Sequence, residues 1–150
     1  MLPAPLAAEG AGLEVLLGQE LGLLCALETL LENERQALLD RDPIRIRECA
    51  EEKRRSLDAL TRSSERTRAQ WLIQARRVAN SGGMPGQLRT LLEAVKARWE
   101  QVQSANQCNG AVMKLHHASV LRGLGVLRQA LGGTDLYRAD GRSSGHYLSA

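Results

Sequence analysis

The chain has 150 residues and a formal charge of +3, with 43% hydrophobic and 25% charged residues, a balance that suits one soluble globular domain. It contains no Phe, and Trp71, Trp99, Tyr137 and Tyr147 are its only aromatics. A core must therefore be built from Leu, Ala and Val, which excludes a typical sheet protein and makes the fold class all-α.

The N-terminal stretch "MLPAPLAAEGAG" has no basic residue, and none follows before Arg35, so a secretory signal is not expected. The apolar-rich segment from Gly12 to Leu31 is interrupted by Glu14, Glu20 and Glu28, which are too costly at a bilayer centre for a membrane span. Cys25, Cys49 and Cys108 are odd in number and form no C-x-x-C pair, so neither a disulfide framework nor a zinc site is indicated. These features fit a soluble cytoplasmic protein whose thiols are buried spectators.

The first helix is expected from about Gly12 to Leu39. Leu17, Leu24, Leu31 and Leu38 recur every seven residues, and Leu16, Leu23 and Leu30 run beside them, a stripe wide enough for two neighbours. Asp42 and Pro43 then supply an N-cap and a residue preset for the first helical position, so the second helix starts at once and the two form a tight antiparallel hairpin.

The second helix is expected from residue 43 to about 79, with Ala50, Leu57, Ser64, Trp71 and Val78 on its seam and Ile46, Lys53, Leu60 and Thr67 between them. "NSGGMPG" at 80–86 breaks the chain. A third helix follows from about 87 to 131, on which Leu88, Leu92, Val95, Trp99, Val102, Asn106, Asn109, Met113, Val120 and Leu127 form one stripe. The architecture implied is an elongated antiparallel bundle of three long helices, residues 1–131, with coiled-coil-like packing. The Gly-, Ser- and Asp-containing stretch 132–150 reads as a flexible C-terminal tail.

Charge is unevenly placed: −6 over residues 1–42, +5 over 43–77, +4 over 78–131 and zero over the tail. The favoured reading of the Arg run on helix two is pairing with the acidic first helix plus solvated charge. Nucleic-acid binding through this helix is the alternative, weakened by the scarcity of aromatics for stacking. No catalytic set emerges. His116 and His117 have no acidic residue within a helical turn and diverge by about 100° on a helix, so no metal, no cofactor and no enzymatic activity are expected.

The carboxamides are the sharper signal. Asn106 and Asn109 lie three apart where apolar residues belong, a placement that costs stability and sets register or partner number. Gly110 removes a side chain in the same turn and would admit another backbone, at a cost of ~1 kcal/mol relative to Ala. Beyond it, Met113, Val120, Leu124, Leu127 and Leu131 continue the stripe, while Val112, Leu115, Leu121 and Val126 point elsewhere. A helix apolar nearly all round must be covered, either by a second copy in a homodimer or by another protein's amphipathic helix.

In three places the chain resembles the FlgN family of flagellar export chaperones: "EEKRRSLDAL" at 51–60, "NQCNG" at 106–110 and "LYRADG" at 136–141. The order of a carboxamide pair, an apolar helix end and a Tyr-containing tail is similar to the family's organisation, with Arg138 standing where the family commonly has Gly. The resemblance implies a cytoplasmic chaperone without enzymatic activity. Such a chaperone binds the C-terminal segments of the hook-filament junction proteins FlgK and FlgL and delivers them to the type III export gate protein FlhA. On this reading substrate binding falls to Asn106, Asn109, Gly110, Met113, Val120, Leu121, Leu124, Leu127 and Leu131. Gate docking falls to Leu136, Tyr137, Asp140 and Gly141, and neither nucleic acid nor stable membrane insertion is involved. The alternative class is a structural coiled-coil adaptor without an export role.

Overall fold

A computed structural model describes residues 6–131, with side chains from Gly12 onward; the stretch read as a tail, Tyr137 included, lies outside the described residues. Three α-helices follow one another: α1 (Leu6–Asp40), α2 (Pro43–Asn80) and α3 (Gly86–Ala130). The chain is all-α, as its composition implies. Helix α1 starts at Leu6 rather than near Gly12, because Ala7, Ala8, Glu9 and Ala11 are good helix formers that outweigh the two glycines among them.

The α1–α2 turn is short and fully bonded. Arg41 takes a left-handed conformation at φ 53°, the Arg41 N–H donates to Leu38 O at 3.2 Å, and the Asp42 N–H donates to Ala37 O at 3.1 Å, the paired bonds of a Schellman ending. Asp42 Oδ1 then accepts from the Ile44 and Arg45 N–H groups at 3.0 and 3.1 Å, while Pro43, which has no N–H to satisfy, opens α2. Asp42→Ala is expected to cost about 1 kcal/mol, seen as a lower urea midpoint at unchanged slope. An unchanged midpoint would mean that Pro43 and the Schellman bonds start α2 unaided. The second turn relies on Gly82 and Gly83, at φ 84° and 147°, where a side chain would be strained.

Packing is organised by α1. Its buried positions Leu13, Leu17, Glu20, Leu24, Leu27, Leu31, Glu34 and Leu38 advance in alternating steps of four and three, an unbroken heptad seam. A second row, with Leu30 and Ala37 buried and Leu23 packed against the core, widens that seam toward a second neighbour. Fully burying each Leu contributes about 1.5–3 kcal/mol, so this helix supplies most of the apolar core. Helix α3 adds Leu88, Val95 and Val102, seven apart, flanked by half-buried Leu92 and Trp99. Lateral contacts fix the directions: Glu34 meets Lys53 and Asp40 meets Arg45, so α1 and α2 are antiparallel, whereas Glu20 meets Trp99 and Glu34 meets Asn109, so α1 and α3 run parallel.

Helix α2 departs from its expected seam in its first half. Ala50 is exposed and Leu57 is 38% exposed; the row facing inward is Cys49, Ser56 and Ser63, beside Lys53, Leu60, Thr67 and Gln74. Two apolar residues suggested the neighbouring row, but the helix is rotated so that Lys53 reaches a buried carboxylate on α1. The thiols also differ from expectation. Cys25 and Cys108 are exposed, and only Cys49 is half-buried; burial, with the charge of Glu34 adding to it, pushes its thiol pKa up.

The chain divides into two compact units after Gly110, within α3.

Candidate functional site

In the unit ending at Gly110, the carboxamides belong to a polar cluster drawn from all three helices. Glu34 of α1 is fully buried. Its Oε1 accepts from Lys53 Nζ of α2 at 2.6 Å, and its Oε2 accepts from Asn109 Nδ2 of α3 at 2.9 Å. The same Asn109 nitrogen donates to the Leu31 carbonyl at 2.8 Å, and Lys53 Nζ also donates to Asn106 Oδ1 at 3.3 Å. Each buried side-chain nitrogen and oxygen among the described residues has a hydrogen-bond partner, as a low-dielectric interior requires.

Asn109 is 2% exposed, and its amide nitrogen is bonded to two acceptors on α1 inside the bundle. Asn106 is exposed and holds the lysine from the outer side. Gly110 is half-buried, and a Cβ built there meets nothing within 4 Å, so among the described residues no backbone approaches closely enough to require glycine.

The missing members of the cluster were Glu34 and Lys53. A signal for them existed, since Glu20 and Glu34 interrupt the Leu stripe fourteen residues apart and keep its register. Glu20 is buried in the same way and accepts from Trp99 Nε1 at 3.1 Å. Helix α1 meets the basic α2 through the pairs Asp40–Arg45 and Glu34–Lys53, while Glu20 is turned toward Trp99 and Glu28 pairs with Arg98 of α3. Arg55 pairs within its own helix with Glu51, while Arg62, Arg66, Arg68 and Arg76 face solvent.

The second unit, from Ala111, is described through the C-terminal part of α3, where no residue is buried. Met113, Val120, Leu124, Leu127 and Leu131 fall within about 60° of one another at 100° per residue, forming one stripe. Their exposure runs from 40% at Met113 to 74% at Leu131, with Leu121 at 55% beside them. Leu115 and Val126, on other faces, are also more than half exposed. A contiguous run of this kind is what a protein keeps for a partner, since single exposed apolar residues are ordinary but clustered ones are not. No helix among the described residues is long and apolar enough to cross a membrane.

The model of the family described as "FlgN protein" matches residues 11–145 of the chain. No curated protein and no solved structure matches it.

Proposed function

The chain belongs to the FlgN family, a family of flagellar export chaperones, and on that premise we propose that it binds the C-terminal segments of the junction proteins FlgK and FlgL in the cytoplasm and hands them to the export gate protein FlhA. The observation that carries this reading is the exposed apolar stripe of α3. Met113, Val120, Leu121, Leu124, Leu127 and Leu131 offer a helical ridge with no cover among the described residues, suited to the apolar face of an amphipathic segment. Such a surface holds an aggregation-prone substrate by desolvation, and no bond is made or broken. The buried Asn109 contributes indirectly, by fixing the register of α3.

The test is a calorimetric titration of the purified chain with a FlgK C-terminal segment. Binding that changes little with salt is expected, because apolar burial dominates it. Failure to bind, with strongly salt-dependent RNA binding instead, would favour the basic α2 as the functional surface. A stable dimer closed through the same stripe would favour self-association.

Delivery rests on Leu136, Tyr137, Asp140 and Gly141, in a stretch outside the described residues whose Asp-Gly pair favours a turn. Tyr137→Ala is expected to leave helicity and FlgK affinity unchanged while weakening the loaded chaperone's binding to FlhA and slowing export. Normal gate binding by this variant would remove Tyr137 from the docking role, and lost FlgK binding would move it into the substrate site.

A further inference from the structure

Both tryptophans of the chain border one groove, which lies wholly within the unit ending at Gly110. Leu13 and Leu17 of α1 and Leu92 and Val95 of α3 give it a largely apolar floor, to which Glu20 and Thr67 add polar atoms; Trp71 of α2 and Trp99 of α3 form its walls, and its volume is about 390 Å³. That volume lies in the range of pockets that accept a ligand body or a few large side chains. Arg68 and Lys96 stand at the rim, one on each wall helix, both exposed and without an ion-pair partner among the described residues. The Trp99 ring is held by its bond to the buried Glu20, which also lines the groove, so this wall is set before anything binds.

We propose that this groove is a second docking site, distinct from the stripe on α3, and that its occupant is an amphipathic helix of a partner protein whose apolar ridge is flanked by carboxylates. Two walls from α2 and α3 over a floor from α1 form the cleft into which a fourth helix completes a bundle. Half-buried tryptophans in such a cleft become fully desolvated when a ridge of Leu or Phe enters, which is where interfaces concentrate their energy. The two rim cations select the sign of the flanking charges.

A second copy of this chain is a poor match for that sign, because the chain carries a formal charge of +3 and meets the two rim cations with the same overall sign. A flat bilayer does not enter a concave cleft, and a phosphate backbone gains nothing from a floor of Leu and Val.

The test uses two short synthetic helices with the same leucine ridge, one flanked by glutamates and its twin by lysines, titrated at low salt against the full chain while tryptophan emission is followed. The glutamate helix is expected to shift the emission to the blue and to bind about tenfold tighter than its twin. The double substitution Arg68→Glu/Lys96→Glu, at exposed positions that leave the core intact, is expected to reverse that order. Equal binding of the twins, or an order unchanged by the double substitution, would overturn the proposal. Three further outcomes would also defeat it. Peptide binding lost in Leu124→Asp/Leu127→Asp but kept in the rim variant would place the peptide on α3's apolar stripe. A chain dimer dissolved by the rim substitutions would make a second copy the occupant. RNA that outcompetes the glutamate helix for the same tryptophans would make the ligand a nucleic acid. The first of these three leaves the FlgK reading standing, so the two ideas fail separately.

Discussion

Glu34→Ala is expected to lower the unfolding free energy by about 3–5 kcal/mol, the usual cost of removing one partner from a buried charge pair. The Glu34 side chain is 1% exposed and that of Lys53 20%, so the lysine left behind would be partly desolvated and would keep only its long bond to Asn106. The Asn109 amide would lose one of its two acceptors in the same step. Asn109→Leu is expected to be destabilising as well, by about 1–3 kcal/mol, because it strips a donor from a buried carboxylate. Seam position alone argued otherwise, since Leu packs better than Asn on a coiled-coil face, but that comparison omits what the carboxamide is bonded to.

Replacing the cluster as a whole, with Glu34→Leu, Lys53→Met and Asn109→Leu together, is expected to restore most of the lost stability, since no charge is then stranded. The loss would fall on uniqueness. The α1 seam repeats every seven residues, so a slide by one heptad would no longer strand a polar group, and broadened amide resonances should report exchange between registers. Urea unfolding followed by circular dichroism measures the single substitutions. A loss below about 1 kcal/mol for Glu34→Ala would show that water reaches the cluster and that it behaves as a surface pair.

The largest effect on binding is expected from Leu124→Asp/Leu127→Asp, which should weaken association with a FlgK C-terminal segment by at least a hundredfold. Each carboxylate would have to be desolvated against an apolar partner, at several kcal/mol apiece without a compensating bond. Helicity and the unfolding midpoint should hardly move, because the two leucines are 48% and 58% exposed and contribute little to the core. The informative control is Leu24→Asp, on a fully buried position, which should unfold the bundle outright. If the double variant binds as the wild type does, the stripe is not the substrate surface. If it unfolds, these leucines belong to a core.

Much of the fold was legible because it depends on periodicity and punctuation, which are local properties. Leucines seven apart on α1 predict one buried stripe whatever packs against it, and Asp42-Pro43 and the Gly-Gly-Met-Pro-Gly stretch place the turns through backbone preferences of single residues. The exposed end of α3 was legible for the same reason, as a run of apolar residues longer than the other helices could match. The rotation of α2 was not. Its sequence offers Ala50 and Leu57 as the more apolar row, and Cys49, Ser56 and Ser63 turn inward instead because Lys53 reaches Glu34 on another helix. The role of Asn109 was hidden likewise: spacing places a carboxamide on the seam, but whether it faces a partner protein or a buried acid depends on which residue of α1 lies opposite. Sequence periodicity therefore determined the helices, their turns and the surplus apolar surface. Tertiary structure decided register and the fate of each polar seam residue, because a buried charge takes its energy from its partner across the interface, and partners on different helices share no sequence spacing.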